Sequence, residues 1–278
     1  MTKLIVNLPN KLRFYMLLVL FPIQSSAQKL PDIQKHNLRA PIDVKIDGNV
    51  NEWGEFQAYN HNTDIFYTVA NDDKNLYLVV QAKDDVIIKK IIGGGITLYL
   101  CSVRKKNDKD RVSIAFPFLA DSVRDAIAMS LNLRMAARNE KEFMKKADSL
   151  IFSMNHRLIG SAKEISITGV KTIEDSILSV YNDLGINAAM RFDKFKSLNY
   201  ELSIPLKYLP SFAQNHLFYY NIKLNGLFST RDDITIYPAG SNVIAVVSIP
   251  TSMAGKGAAA ADIIDNQTDF WGEYVLKK

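Results

Sequence analysis

The 278-residue sequence has a single cysteine, Cys101, so an intrachain disulfide and a cysteine-rich zinc site are both excluded. Histidines are few: His36, His61, His156 and His216 are widely spaced, and no His-Glu-x-x-His pair is present. Neither Gly-x-Ser-x-Gly nor the phosphate-cradling Gly-x-x-x-x-Gly-Lys-Ser/Thr occurs. Ala254-Gly255-Lys256-Gly257 lacks both the upstream glycine and the following hydroxyl. Beyond residue 23 there is no long apolar run, and a membrane-spanning helix needs roughly 20 such residues. Internal repeats are absent. What remains, 47% hydrophobic and 23% charged residues, is the composition of a globular chain with a substantial core.

The N-terminus has three parts. Residues 1–15 carry Lys3, Lys11 and Arg13 and no acid, Met16 to Ile23 are uniformly apolar, and Ser25 and Ala27 are small. This is the layout of a secretory signal peptide cleaved after Ala27, leaving residues 28–278 as an exported, periplasmic or extracellular protein. No cysteine stands directly after the apolar run, which argues against a lipid anchor. Removal lowers the basic residues from 34 to 31 against 29 acids, so the net charge falls from +5 to +2. A nucleic-acid partner therefore loses its compositional support.

Short β signals follow a polar leader containing Pro31 and Pro41. They are Ile42–Ile46, Ile65–Val69, Leu76–Ala82, Ile96–Val103 and Val112–Phe116, each bounded by turn residues. From Asp121 to about His156 there is no glycine or proline. Val123, Ile127, Leu131, Phe143, Ala147, Leu150, Ile151 and Met154 fall at helical spacing. This reads as a one- or two-helix insertion whose apolar stripe packs on the sheet, with a partner-binding helix as the alternative. Strands resume at Glu164–Val170, Ile177–Tyr181, Ala188–Phe192, Leu198–Ile204, Phe218–Leu224 and Val243–Ile249. A Gly/Ala-rich loop, Ala254–Ala261, and a last strand, Gly272–Leu276, complete the chain. The pattern predicts an all-β fold, a two-sheet jelly-roll-like β-sandwich with a helical insertion at about 121–156.

Four blocks in order carry a resemblance. Ile46-Asp47-Gly48-Asn49-Val50-Asn51-Glu52-Trp53 resembles the opening of family 9 carbohydrate-binding module-like domains. Residues 71–84, NDDKNLYLVVQAKD, resemble the next block. Glu201-Leu202-Ser203-Ile204-Pro205-Leu206 is similar to the late Glu-x-x-Ile-Pro block, and Asp269-Phe270-Trp271 to the terminal element. The version it resembles is the one in secreted proteins of Bacteroidetes-type bacteria. The resemblance implies a sandwich, non-catalytic carbohydrate binding and, in some members, structural calcium. It also implies a tryptophan clamp, yet Trp53 and Trp271 are the only tryptophans.

Sugars are gripped by flat rings and planar polar groups. The carbohydrate-binding candidates are Trp271, Tyr220, Phe228, Asn225, Arg231 and Tyr237. Tyr59, Tyr67 and Tyr219 are further rings, and adjacent Tyr219 and Tyr220 must face opposite sides of a strand. Asp72, Asp73 and Asp84 are the candidate calcium ligands, as oxygen donors at strand ends. Asp47, Gly48, Glu52 and Trp53 form a structural motif, with Asp-Gly making the turn and Trp53 in the core. Besides carbohydrate binding, two readings stand: an envelope protein-interaction sandwich that has lost its sugar site, and a haem-holding relative using Met and His. Mass spectrometry of the protein exported by its native host is expected to show an N-terminus at Gln28; an intact Met1 would refute the signal.

Overall fold

The computed structural model describes residues 29–105, 108, 110–132, 140–209, 217–227 and 256–277. The chain divides into Met1–Leu30 and Pro31–Lys278, and the fold lies in the second unit. The signal-peptide segment, Phe228, Arg231, Tyr237 and the expected strand Val243–Ile249 lie outside the described residues.

Twelve strands are described: β1 (Leu38–Arg39), β2 (Ala58–Asn60), β3 (Ile65–Asn71), β4 (Asn75–Ala82), β5 (Ile96–Cys101), β6 (Val112–Phe116), β7 (Glu164–Thr168), β8 (Ile177–Ser179), β9 (Asn187–Phe192), β10 (Leu198–Pro205), β11 (Leu217–Leu224) and β12 (Thr268–Val275). Four helices accompany them: α1 (Asp85–Gly94), α2 (Asp121–Asn132), α3 (Glu140–Ser161) and α4 (Lys256–Asp265). The first sheet runs β1-β3-β4-β10-β9 with β2 on β3, and the second runs β12-β11-β5-β6-β7-β8. The architecture is a β-sandwich of two six-stranded sheets, with helices α2 and α3 inserted between β6 and β7.

Period-two alternation places one side of each sheet in a shared core. Tyr67, Leu78 and Leu202 from the first sheet meet Leu98, Ile114, Tyr220 and Ile222 from the second, all buried. Rings knit the layers: Tyr67 lies 4.9 Å from Phe270, and Phe116 lies 5.9 Å from Tyr200. Gly272 sits opposite Tyr220, and a Cβ there would come within 2.1 Å of the Tyr220 ring. The insertion buries Ile127, Met154 and Leu158 against the same core. Asn155 of α3 then donates to Phe192 O (2.9 Å) and accepts from Phe192 N (2.7 Å), satisfying backbone on edge strand β9.

Two expectations need correction, and one helix has no counterpart among them. Ile42–Ile46 forms no strand. Its alternation serves a coil in which Val44 and Ile46 pack on a second, smaller apolar cluster, while Ile42 is exposed. Residues 85–94 form a helix, because Asp84 caps it and the Ile-Ile-Lys-Lys-Ile-Ile spacing buries Ile87, Ile88, Ile91 and Ile92. The alanine-rich segment is not a loop throughout: α4 begins at Lys256, as alanine's helix propensity favours.

The second cluster comprises Val50, Trp53, Ala70, Tyr77 and Val79. Here residues 44–56 lie across the outer face of the first sheet, with Trp53 edge-on to Tyr77 at 5.4 Å. Beneath them is Glu201 on β10, wholly buried. Its Oε1 accepts from Trp53 Nε1 at 2.7 Å, and its Oε2 accepts from Gly48 N at 2.7 Å and Asp47 N at 3.1 Å. Gly48 is required twice over: its φ is +82°, and a Cβ would meet Arg191 Cβ at 2.6 Å. Asp47 turns the chain by accepting from Asn49 N at 2.8 Å. Glu52, half-exposed, accepts only a long 3.5 Å bond from Lys45 N.

Burial pushes the Glu201 carboxyl up from 4.5 to about 7, against the pull of its three N–H donors. The folded state therefore binds this proton more tightly than the unfolded chain, and the group's contribution to stability falls as pH rises between 4.5 and about 7. Denaturant titration at pH 5 and pH 7.5 is expected to show that fall, and Glu201→Gln should remove it. Trp53→Ala should lower stability by about 3–5 kcal/mol through lost burial and a cavity. Trp53→Phe, which keeps a ring but not the N–H, should cost about 1–3 kcal/mol through the unmet carboxylate.

Candidate functional site

The outer face of the first sheet is covered near Trp53, and the outer face of the second sheet carries its own row of polar and aromatic side chains. There the alternation of β11 turns Tyr219, Asn221 and Lys223 outward, that of β5 turns out Tyr99, and that of β12 turns out Asp269, Trp271 and Glu273. Register aligns Tyr99, Asn221 and Trp271 in one cross-strand row and sets Lys223 opposite Asp269.

Trp271 is half-buried and borders two hollows. On the Asp269 side lies a small depression walled by Tyr99, Arg111, Asn221, Lys223, Gln267 and Asp269. On the Glu273 side lies a groove of about 640 Å3 between the leader, Pro31–Asn37, and the β12 edge, with Arg104 and Tyr219 in its walls. Asp269 and Glu273 stand two residues to either side of Trp271 on the outward face of the strand, so the two hollows flank the indole.

The depression is strongly polar. Arg111 lies over the Tyr99 ring at 4.5 Å and Lys223 Nζ at 5.2 Å. Asn221 donates to Asp269 Oδ2 at 2.6 Å and to Phe270 O at 3.0 Å. Lys223 is only 8% exposed, and its ammonium has no hydrogen bond or ion pair among the described residues. A desolvated cation–π contact offers about 2 kcal/mol, whereas taking an ion from water costs several.

The groove is bounded by main chain. β12 is an edge strand, and its odd-numbered residues point their N–H and C=O away from β11. Asn62 donates to Asp269 O at 2.9 Å, and Asn37 accepts from Val275 N at 3.0 Å. Between these plugs, the main-chain groups of Trp271 and Glu273 have no partner among the described residues. They offer donors and acceptors beside an aromatic ring.

Of the six carbohydrate candidates, Trp271 is the one that the described residues place on this face, and Tyr219, named among the further rings, joins it. Tyr220 is a correction. It is fully buried on the inner face, its hydroxyl 3.1 Å from that of Tyr67, and Tyr219 is the member of the pair that turns outward. Asn225 is a correction too: buried, it donates to Gly94 O and Thr97 Oγ1 at 2.9 Å each and fastens the end of β11 to the α1–β5 turn. Residues missed from sequence are Tyr99, Arg111, Asn221, Lys223, Gln267 and Asp269. The alternation of ITLYLC and FYYNIKL marks Tyr99, Asn221 and Lys223 as outward, but which outer face stays open is not a local property.

Asp72, Asp73 and Asp84 do not converge, and no group of three His, Cys, Asp or Glu side chains suited to a metal occurs among the described residues. Each carboxylate already has local work. Asp72 accepts from Lys74 N (2.7 Å), Asn75 N (2.6 Å) and Tyr77 Oη (2.7 Å). Desolvation alone would raise its pKa, but these bonds hold it below the ordinary value. Asp73 pairs with Arg39 at 2.8 Å. Asp84 accepts from Val86 N at 2.8 Å and Ile87 N at 3.3 Å as the α1 cap. Cys101 is buried, which pushes its thiol up to about 12 and leaves it unreactive.

No protein-family model matches the chain, and neither characterised proteins nor solved structures give a match. Among the described residues, no helix is long and apolar enough to cross a membrane. Asp84→Ala is expected to lower stability by about 1 kcal/mol through loss of the cap, and thermal melts of that variant should respond to calcium no differently from wild type.

Proposed function

We propose that this is an exported, non-catalytic carbohydrate-binding protein whose site is the outer face of the second sheet around Trp271. One observation carries the reading: a half-buried indole stands between a charged depression and a groove of mixed character, at a sheet edge whose main-chain groups beside it are unpaired among the described residues. A pyranose presents apolar C–H faces to a ring and hydroxyls to planar polar groups, and this arrangement supplies both. Trp53 and Trp271 form no clamp, since Trp53 is buried on the other sheet against Glu201. Binding by one platform is accordingly weak, near or above about 1 mM in Kd, or about −4 kcal/mol.

A second reading, docking of a protein partner, draws on α3. Phe152 is 74% exposed and Ile159 is 54% exposed, seven residues apart on one helical face.

Glycan-array and calorimetric binding test the first reading. Trp271→Ala is expected to abolish glycan binding with little change in melting temperature, and no new reducing ends should appear in the polysaccharides tested. A protein that binds no glycan, or one whose binding survives Trp271→Ala but is lost in Phe152→Ser, would refute the Trp271 site.

A further inference from the structure

The depression on the Asp269 side of Trp271 has a size and a charge that narrow the ligand. Its volume is about 20 Å3, and a cavity needs roughly 10–15 Å3 to hold one water. It therefore admits a single small polar group and not a sugar ring. The charged side chains facing it are Arg111, Lys223 and Asp269, two cations against one carboxylate. Asn221 donates to that carboxylate. Lys223 is more than nine-tenths buried, lines the depression, and lacks a hydrogen-bonding or ionic partner among the described residues. Asp269, its neighbour across the strand pair, is engaged by Asn221.

We propose that this depression receives the oxyanion of an acidic sugar, a uronate carboxylate or a sulfate ester, with Lys223 as the principal counter-charge and Arg111 beside it. The proposal rests on the carbohydrate reading of the Trp271 face and specifies its substrate class. The sugar ring lies against Trp271, on the side of the 640 Å3 groove, and its charged substituent reaches past the indole into the depression. A charge-assisted bond to Lys223 supplies the acceptor that burial has denied it.

Calorimetry on the purified protein with trigalacturonate and its methyl ester tests the carboxylate, and dextran sulfate against dextran tests the sulfate. One acidic probe should bind about tenfold or more tightly than its neutral counterpart. That preference should shrink with added salt. Lys223→Met, which keeps the stem and removes the charge, should erase it without lowering the melting temperature, and Lys223→Arg should retain it. Which acidic probe responds identifies the source of the oxyanion. Equal binding of acidic and neutral probes, lost in Trp271→Ala, would overturn the proposal while leaving the carbohydrate reading standing. Acid-selective binding unchanged in Lys223→Met would overturn the assignment of Lys223. A protein that binds none of the four probes nor any arrayed glycan would overturn both.

Discussion

A single buried carboxylate organises the first half of this molecule. Glu201 sits on a central strand, on the face turned away from the main core, where an ion without partners would be costly. Its two oxygens meet three N–H groups, all from residues 47–53. The carboxylate is thus solvated by a chain segment about 150 residues distant, and that segment is pinned across the sheet. The geometry leaves little freedom. Only glycine at position 48 allows the backbone to approach Arg191 and point its N–H at Glu201. Only tryptophan among the aromatic residues pairs a large apolar face, packed on Tyr77 and Val79, with an N–H at the ring edge.

That clamp has a consequence for which outer face is left open. A two-sheet sandwich has two outer faces, and the opening segment covers part of one with a small core of its own. The second sheet's face keeps an open depression and groove around its edge strand. The two tryptophans divide the same way: Trp53 holds the clamp, and Trp271 stands at the open edge.

The fold was largely legible because its signals are local. Alternation marked β3, β4, β5, β6, β10 and β11 within a residue or two, and the 3.6-residue period marked the insertion. Misreadings occurred where tertiary context overrides pattern. Ile42–Ile46 alternates like a strand, but the positions beside it are not free to pair, and the segment instead feeds the clamp. The resemblance drawn from the opening and Glu-x-x-Ile-Pro blocks falls on residues that meet in space, Gly48 and Trp53 with Glu201. The site was far less legible. Tyr219 and Tyr220 are indistinguishable in sequence, and one pairing register decides which is core. Arg111 reaches Tyr99 across the β5–β6 pairing, and Gln267 lines the same depression from just before β12, neighbours that no spacing encodes.

The site's asymmetry follows from one ring being already occupied. Tyr99 has cations at 4.5 Å and 5.2 Å from its centroid, so its negative face is engaged and is a poor stacking platform for a sugar. What Tyr99 does instead is hold two positive side chains near each other, which their mutual repulsion would otherwise oppose. In the proposed carbohydrate site, stacking then falls to Trp271, whose indole stands at the border of that cationic pocket. Aromatic platform and principal charge are thereby set on adjacent strands, Trp271 on β12 and Lys223 on β11, because Lys223 pairs with Asp269, two residues from Trp271. A ligand that exploits both must carry its apolar face and its charge within the width of two strands, about 10 Å, which is the scale of one sugar residue and its substituent rather than of an extended chain.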